Sequence, residues 1–379
     1  MHIGIDAFEA NIKDKVGMGN YADNLIRAIA DIDTQHSYSL YLRRPRRTEF
    51  EVGKENFHYV SLRSFSPRTF WTQCRLPLEL FCSRPHVLHI PAGQKIPWYR
   101  PCPTIVTIHD LAFLKFKDYF QRGVRWRSTF FTEHAARHAD RIIAISQATK
   151  NDIIEAYHIN EQRVDVIYHG VGKEFRPVEK NARVDSIKAK YAIQYPYVLF
   201  IGVLQPRKNI SRLIRAFSRI LPRYQGKLQL VIAGNKGWLY EDIFRTVRAC
   251  NIEDRVVFTG YVPKGEVMLL LNGACLFVLP SLYEGFGMPL LEAMACGTPV
   301  ITSNISSMPE VVGEAGLLCD PYDEDAIAGR MNDVLAHGTL RDELSRKGLQ
   351  RAKCFSWKRA AEKTKALYET MGQTGSRVK

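Results

Sequence analysis

Residues 283–292 give the strongest indication of the fold. Their sequence is Tyr283-Glu284-Gly285-Phe286-Gly287-Met288-Pro289-Leu290-Leu291-Glu292. The apolar run just before them, residues 276–279, predicts a buried strand. Gly285 and Gly287 predict a tight turn. Pro289 is expected at the first position of the following helix, where its missing N–H costs nothing. Strand, turn and helix in this order form the building unit of a parallel α/β sheet.

The same ten residues also predict a binding site. The unpaired N–H groups of the first helical turn can hold an anion, and the carboxylates of Glu284 and Glu292 can accept hydrogen bonds from hydroxyl groups. A ligand that combines phosphate with many hydroxyls, such as a nucleotide sugar, suits both features. The alternative is an ordinary strand-turn-helix junction with a glutamate that the helix dipole favours.

Short apolar runs alternate with helix-like segments along the whole chain, which predicts doubly wound parallel sheets and places the chain in the α/β class. The predicted strands are residues 2–6, 38–42, 87–90, 104–108, 141–145, 164–168, 198–202, 229–233, 256–259, 276–279, 300–302 and 317–319. The predicted helices include residues 20–30, 127–138, 146–156, 212–220, 240–250, 264–272, 289–295 and 323–335.

A weak boundary interrupts this alternation at residues 170–192, where glycines, a proline and a charged run replace the apolar pattern. It predicts a first Rossmann-like domain at residues 1–180 and a second at residues 190–356. Open α/β sheets bind ligands beyond the carboxyl ends of their strands. Two such domains that face each other across a cleft therefore suit a reaction of two substrates.

The composition is that of a globular protein. The 379 residues are 46% hydrophobic and 24% charged, and no apolar run approaches the ~20 residues that span a bilayer. The first residues enter a predicted strand directly, so no signal peptide is expected. The eight cysteines form no CxxC pair, which predicts reduced thiols and a cytoplasmic location.

Positive charge is concentrated in residues 39–150, which hold 19 Lys and Arg against 8 Asp and Glu and so carry +11 of the net charge of +14. This segment is also rich in aromatic residues. Nucleic acid, an anionic membrane surface or a phosphorylated substrate would each suit it, and so would a solvated basic face over an aromatic core. The membrane hypothesis points to one set of side chains: Arg43, Arg44, Arg46, Arg47, Phe70 and Trp71.

Two basic residues, Arg207 and Lys208, stand close before a predicted helix. Positive charge is unfavourable near a helix N-terminus, and an anionic ligand would relieve that conflict. Arg207 can fork onto a diphosphate while Lys208 adds a point charge. The alternative is a solvated basic turn.

The glycines of Gly17-Met18-Gly19 begin eleven positions after Asp6, too far for the tight turn of a dinucleotide-binding fingerprint. One interpretation is a flexible loop whose backbone contacts a phosphate or a second, acceptor substrate. The other is a loop that simply starts a helix at Asn20.

Three histidines are candidate ligands. His109 ends an apolar strand, and it is either a ligand of sugar hydroxyls or a structural hydrogen-bonder. His134 and His138 share one helix face, but Ala135 stands where a zincin helix has glutamate. No cluster has metal-ligand spacing, so no metal site is expected.

Together these segments resemble the retaining, nucleotide-sugar-dependent glycosyltransferases of the GT-B fold, known as glycosyltransferase group 1 or GT4. The most specific feature is the E-x7-E pair, here Glu284 and Glu292. The other matching segments follow in the family's order and cover most of the chain: residues 17–21, 106–110, 141–146, 166–171, 202–209, 258–262, 280–287, 292–300 and 309–310. The Pro-Arg-Lys-Asn variant at 206–209 resembles the motif of a mannosyltransferase-like branch of this family.

The resemblance implies a role for each motif. Glu292 would accept from the nucleotide ribose and Glu284 from the donor sugar. Arg207 and Lys208 would neutralise the leaving diphosphate, with Arg207 replacing the arginine that many relatives carry at the position of Val203. The implied catalytic residues are His109, Arg207, Lys208 and Glu284. The implied donor-binding residues are Gly17, Gly19, Arg207, Lys208, Tyr261, Val262, Glu284, Gly285, Phe286, Gly287, Met288, Pro289, Leu290 and Glu292. A C-terminal helix at 357–379 would cross back to the first domain.

The implied reaction is transfer of a hexose, with mannose favoured, from a nucleotide-diphosphate sugar to a saccharide or lipid-linked acceptor in polysaccharide or glycolipid synthesis. GDP-mannose is favoured over UDP-hexose as donor, with anomeric retention, no further cofactor and no metal ion. The enzyme would be cytoplasmic and peripheral at the inner face of the cell membrane, with no nucleic-acid partner. The alternatives are a GT-B sugar-nucleotide epimerase, a phosphorylase, and a nucleic-acid-binding protein that uses the basic first domain.

Overall fold

The computed structural model describes residues 1–13, 15, 17–62, 70–179 and 182–375. The chain forms two compact units, which we call the first and the second unit. The first unit is Met1–Gly170 together with the C-terminal segment from Ser356, and the second is Val171–Phe355. The first unit thus ends ten residues before the predicted limit at residue 180, and the residues between belong to the second unit.

The first unit is built on a parallel sheet of seven strands in the order β3-β2-β1-β4-β5-β6-β7. The strands are β1 (His2–Asp6), β2 (Ser37–Leu42), β3 (Phe57–Ser61), β4 (Val87–Ile90), β5 (Thr104–Ile108), β6 (Arg141–Ala144) and β7 (Val164–Val166). The central strand β1 pairs with both β2 and β4, so Ile3 lies between Tyr38 and Val87. Its helices before the last segment are α1 (Gly17–Ile32), α2 (Leu76–Ser83), α3 (Ala112–Lys115), α4 (Arg122–His138) and α5 (Gln147–Tyr157).

The second unit is built on a parallel sheet of six strands in the order β10-β9-β8-β11-β12-β13. The strands are β8 (Tyr197–Ile201), β9 (Gln229–Ala233), β10 (Val256–Gly260), β11 (Leu276–Leu279), β12 (Val300–Ser303) and β13 (Leu317–Cys319). The helices are α6 (Ala182–Lys190), α7 (Ile210–Ile220), α8 (Glu241–Ala249), α9 (Lys264–Gly273), α10 (Met288–Ala295), α11 (Met308–Val312), α12 (Glu324–Ala336) and α13 (Gly338–Ala352). Helix α7 illustrates why these helices pack onto the rest of the unit. One face of it is an apolar stripe of buried residues: Ile210, Leu213, Ile214 and Phe217.

The last helix, α14 (Trp357–Gly375), packs against α1 and belongs to the first unit. The Tyr368 hydroxyl lies 2.6 Å from His89 Nδ1, and His89 Nε2 lies 3.0 Å from Thr107 Oγ1. Burial lowers the pKa of His89 to about 3, so this ring is neutral. A buried polar chain therefore ties the C-terminal helix to β4 and β5.

Each sheet reverses its strand order at one point, between β1 and β4 in the first unit and between β8 and β11 in the second. In open α/β sheets the ligand lies beyond the carboxyl ends of the strands at such a switch point. We therefore expect the functional residues in the loops after these four strands.

The predicted α/β class with two doubly wound parallel sheets is confirmed. Strand β3 was missed because it is an edge strand whose residues are mostly partly exposed and lack a clean apolar pattern. Among the residues described, no helix is both long enough and apolar enough to span a membrane.

Candidate active site

The loop after β8 presents two cations at the switch point of the second sheet. Pro206–Lys208 form a single 3₁₀ turn, and Asn209 follows in the left-handed region with a φ of 60°. The Asn209 amide donates to the carbonyl oxygens of Pro280 and Pro321 at 2.9 and 2.7 Å. These bonds fix the loop against the end of β11 and so hold Arg207 and Lys208 in place.

The loop after β11 brings Glu284 to the same place. Lys208 Nζ lies 2.5 Å from Glu284 Oε1, and Arg207 Nη1 lies 3.2 Å from Glu284 Oε2. Ser281 Oγ donates to Oε1 at 2.7 Å, and Arg207 also donates to the Tyr283 carbonyl. Arg207, Lys208 and Glu284 thus form one group, which we call the ion cluster.

The ion cluster is buried, since Lys208 and Glu284 are only 8% and 7% exposed. Burial alone would raise the pKa of Glu284, but Lys208, Arg207 and Ser281 outweigh it and hold that pKa at about 2. The carboxyl group is therefore ionised at neutral pH. Two cations and one anion leave a net charge of +1 where water screens it poorly, which attracts an anionic ligand.

The backbone of Glu284 is fixed by two serines that sequence analysis missed. The hydroxyls of Ser306 and Ser307 donate to the Glu284 carbonyl at 2.7 and 2.9 Å, and the Glu284 N–H donates to Ser306 Oγ at 3.2 Å. No motif could have identified these partners, because the contact depends on how the chain continues after β12.

Helix α10 begins after Gly287, whose φ of 96° calls for glycine. The first helical residue is Met288, so Pro289 occupies the second position rather than the predicted first. The first turn carries no acidic residue, and the N–H groups at this end therefore remain suited to an anion.

Glu292 lies on α10 and is partly buried. Burial raises the pKa of Glu292 to about 7; Glu174 adds to the rise and Lys264 opposes it. Near neutral pH this carboxyl can therefore accept hydrogen bonds as the anion or donate one as the acid, which suits a ligand with hydroxyl groups.

The remaining predicted donor-site residues of the second unit differ in exposure. The buried ones are Val262, Gly285, Phe286, Gly287 and Leu290. Phe286 packs edge-on against Phe355, with ring centroids 5.8 Å apart. Tyr261, by contrast, is 65% exposed just beyond β10, so its ring is open to a ligand. Met288 and Pro289 are partly buried.

His109 lies in the first unit, at the carboxyl end of β5. Its Nε2 donates to the Pro91 carbonyl at 2.9 Å, which leaves Nδ1 of the neutral ring as an acceptor. Burial lowers the pKa of His109, although the Pro91 carbonyl and Asp110 act in the opposite direction. The Tyr21 ring packs edge-on against it, with centroids 4.8 Å apart. The structure therefore holds His109 as a neutral, oriented hydrogen-bond acceptor.

Gly17 and Gly19 also lie in the first unit, within the first turn of α1. The predicted flexible glycine loop is therefore wrong, and so is the predicted helix start at Asn20. A Cβ at Gly19 would lie 2.9 Å from the Glu9 carbonyl oxygen, whereas one at Gly17 would meet nothing within 4 Å. Close packing of α1 on the preceding turn explains the glycine at 19.

Two family models match the chain: "Glycosyltransferase Family 4" over residues 16–175 and "Glycosyl transferases group 1" over residues 184–351. The chain belongs to this glycosyltransferase family. The first match contains His109 and the second contains the ion cluster, so each family model covers one part of the candidate site.

Two curated relatives and one solved structure give the scale of the similarity. The glycosyltransferase is 32% identical to "O-antigen chain mannosyltransferase B" of Escherichia coli, over 70% of each chain. It is 34% identical to "Serotype-specific mannosyltransferase WbdA" of Escherichia coli over 73% of its own length, but that match spans only 34% of WbdA. Sucrose-phosphate synthase from Thermosynechococcus elongatus aligns over 98% of this chain and 99% of that one, with a TM-score of 0.78 at 22% identity. The predicted GT-B fold is confirmed.

No metal centre is found in the part of this glycosyltransferase that the structure describes, where no three His, Cys, Asp or Glu side chains are grouped to hold an ion. The rings of His134 and His138 lie 4.3 Å apart. His138 Nδ1 lies 2.8 Å from the His134 carbonyl, as in a hydrogen bond within one helix.

The membrane hypothesis needs a different set of side chains in the glycosyltransferase. Trp71 is 1% exposed and its indole N–H donates to a backbone carbonyl, so its inclusion was wrong. Arg46 and Arg47 lie 2.9 and 3.4 Å from the carboxylates of Glu51 and Glu49, which offset their charge. Phe70, which the hypothesis included, is exposed. Other large aromatic residues of the first unit are exposed as well: Phe81, Trp98, Tyr99, Trp126 and Phe130.

Proposed function

We propose that this glycosyltransferase moves a hexose, with mannose favoured, from GDP-mannose to a saccharide or lipid-linked acceptor in polysaccharide synthesis, with retention of anomeric configuration. The buried ion cluster at the switch point of the second sheet is the observation that carries the donor assignment. The two relatives, both mannosyltransferases by name and one of them named for an O-antigen chain, support mannose and a polysaccharide product. The choice of guanosine as the nucleoside of the donor rests on the resemblance of residues 206–209 to the mannosyltransferase-like branch.

In the proposed reaction the bond between the anomeric carbon and the diphosphate oxygen breaks. The acceptor hydroxyl oxygen bonds to the anomeric carbon on the same face, and its proton passes to an oxygen of the departing phosphate. The products are the glycoside and GDP. Negative charge grows on the diphosphate as it departs, and fixed cations stabilise that charge. We assign this role to Arg207 and Lys208.

The other residues are assigned to position the donor. Both carboxylate oxygens of Glu284 are engaged and its pKa is about 2, which makes it a poor nucleophile and supports attack by the acceptor itself. Glu284 and Glu292 would accept hydrogen bonds from sugar and ribose hydroxyls. His109 would accept one at Nδ1, since its Nε2 proton is committed to Pro91.

Release of nucleoside diphosphate from GDP-mannose and from UDP-glucose, measured without acceptor, tests the donor assignment. We expect hydrolysis of GDP-mannose to be faster, and to fall about 10²- to 10³-fold in Lys208→Ala, as when one transition-state donor is lost. Lys227→Ala removes an exposed lysine of the same unit and should change nothing. Unchanged hydrolysis in Lys208→Ala would place the donor elsewhere.

Proton NMR of the glycosidic product tests retention, since an inverted anomeric signal contradicts it. We propose that no metal ion is needed because Arg207 and Lys208 supply the positive charge, so turnover should be unchanged in EDTA. Release of an epimerised sugar without acceptor would instead favour the epimerase alternative.

We also place the enzyme in the cytoplasm, peripheral at the inner face of the cell membrane. One face of α4 supports this: Arg122, Trp126 and Phe130 follow one another at four-residue spacing. The Trp126 and Phe130 rings stack 5.7 Å apart, and Trp126 is 67% exposed. Exposed tryptophan with arginine is typical of surfaces that enter an anionic membrane interface.

Cosedimentation with vesicles of phosphatidylcholine, with and without phosphatidylglycerol, tests this surface. We expect salt-sensitive binding to the anionic vesicles, lost in Trp126→Ser/Phe130→Ser and kept in Trp238→Ser, which removes an exposed tryptophan of the second unit. Equal binding by all variants contradicts the assignment. Tight salt-sensitive binding to a random oligonucleotide alone would favour the nucleic-acid alternative.

A further inference from the structure

The first unit contains a pocket of about 460 Å³ beside the switch point of its sheet. The loop after β4, the end of β5 and one face of α4 line it. This volume lies within the range of small-molecule sites, and His109 is one of the lining residues. The pocket is therefore a candidate ligand site of the first unit.

The loop after β4 is held in a fixed shape. Gly93 and Gln94 are both left-handed, with φ of 91° and 48°, an arrangement that costs energy at the non-glycine residue. The Thr132 hydroxyl donates to Gln94 Oε1 at 2.6 Å, which pins the loop to α4. This wall of the pocket is thus fixed by contacts within the first unit.

Two cations converge on one wall of this pocket. Lys95 Nζ lies 4.3 Å from the centre of the Phe131 ring, a cation–π contact. Arg127 is four residues before Phe131 on α4 and so lies one turn away on the same face. Glu133 is the single acidic residue of α4, and it pairs with Arg137 at 2.9 Å, so it leaves the charge of Arg127 in place.

The rest of the lining adds little countercharge. Asp110 is the acidic residue of the lining, and its carboxylate accepts from the Ala112 N–H at 3.1 Å. Phe113 and Phe131 supply apolar surface against which a sugar ring can lie. The pocket thus combines a net positive charge, aromatic walls and hydroxyl-binding groups.

We propose that this pocket binds a phosphate ester of the acceptor through Lys95 and Arg127. The inference rests on the proposed glycosyl transfer and names its acceptor class as a saccharide phosphate or diphosphate, either free or lipid-linked. A phosphate carries close to two charges and several acceptor oxygens and so uses both cations, whereas a uronic acid would use one.

Hydrogen exchange of the full-length enzyme with mannose 1-phosphate tests the site by location. We expect protection of the amides at residues 93–95 and along α4. The affinity should fall about 10- to 100-fold in Lys95→Met and in Arg127→Gln, as for loss of one charge-assisted hydrogen bond, and stay unchanged in Arg125→Gln, the matched control on the same helix. Equal affinity for methyl α-mannoside or galacturonic acid, or protection only near Arg207 and Lys208, overturns the proposal.

Transfer assays separate the two sources of the phosphate ester. Labelled mannose from GDP-mannose is offered to mannose 1-phosphate in solution and to a polyprenyl-diphosphate saccharide in phosphatidylcholine vesicles. Transfer to the first supports a free sugar phosphate, and transfer to the second alone supports a lipid-linked one. In either case Lys95→Met and Arg127→Gln should raise the acceptor KM, whereas the control Arg125→Gln should change neither that KM nor donor hydrolysis. The inference is refuted if methyl α-mannoside accepts mannose with the same kcat/KM as the phosphorylated acceptors. The proposed function is refuted if the wild-type enzyme does not hydrolyse the donor.

Discussion

Replacing Lys208 by methionine removes one of the two cations that face the buried carboxylate of Glu284. The Nζ–Oε1 contact of 2.5 Å is lost, while Arg207 at 3.2 Å and the Ser281 hydroxyl at 2.7 Å remain. Breaking a buried ion pair from one side costs about 3–5 kcal/mol, because a charge is left without its partner. With two partners left, we expect a loss near the lower end of that range, about 3 kcal/mol.

The pKa of Glu284 reports the combined effect of burial and of all the partners of this carboxylate, Lys208 among them. A fall from the ordinary 4.5 to about 2 corresponds to about 3 kcal/mol of stability at pH 7. Because the folded pKa is depressed, this stability is fully present above pH 4.5 and is lost as the pH falls towards 2. By the same linkage, less than half, about 1.4 kcal/mol, should remain at pH 3.

Amide hydrogen exchange at β8 and β11 measures the opening free energy of the second unit alone, with β5 of the first unit as internal reference. Lys208→Met should lose about 3 kcal/mol at pH 7 and clearly less at pH 3, and Lys208→Met/Glu284→Gln should recover most of the loss. Lys227→Met, an exposed control, should stay within about 0.5 kcal/mol of wild type. A Lys208→Met variant as stable as wild type, or a loss that does not shrink on acidification, refutes the reasoning.

Three further predictions concern other parts of the molecule. Gly19→Ala should lower the free energy of unfolding by about 1–3 kcal/mol because its Cβ meets the Glu9 carbonyl, whereas Gly17→Ala should be neutral or gain up to about 1 kcal/mol; equal effects in thermal melts would contradict this. Tyr368→Phe should cost about 1–3 kcal/mol, since it removes the partner of buried His89 Nδ1; an unchanged melting temperature argues against that bond. The Glu292 pKa is raised to about 7, so its stability contribution is present below pH 4.5 and is lost as the pH rises through 7. Wild type should therefore lose up to about 2 kcal/mol relative to Glu292→Gln between pH 5 and pH 8 in urea unfolding, and parallel pH profiles would show that the raised pKa is wrong.

Most strands of the fold could be predicted from the sequence because buried parallel strands are short, apolar on both faces and bounded by turn residues. Strand β11 (Leu276–Leu279) is matched residue for residue. Helix starts were harder to predict: α1 begins at Gly17, three residues before the predicted start at Asn20. Local pattern therefore predicts which element forms better than where it begins.

The candidate site was predictable in its residues but not in its arrangement. Arg207, Lys208 and Glu284 each stood out as charged residues near a strand end. That Glu284 pairs with both cations depends on β8 and β11 being neighbours in the sheet, a long-range fact that no local motif contains. The same reason hid Asn209 as the residue that ties the two loops together.

Pairing Glu284 with the two cations has opposite effects on binding and on catalysis. The carboxylate reduces the local charge from +2 to +1, and so it weakens attraction for any diphosphate. It also holds both cationic side chains in one geometry before the ligand arrives, and preorganised charge stabilises a departing group without reorganisation at the moment of reaction. A cluster that served only to bind anions would bind them more tightly without Glu284. Its burial between Arg207 and Lys208 therefore fits the proposed departure of a diphosphate better than a role in anion binding alone.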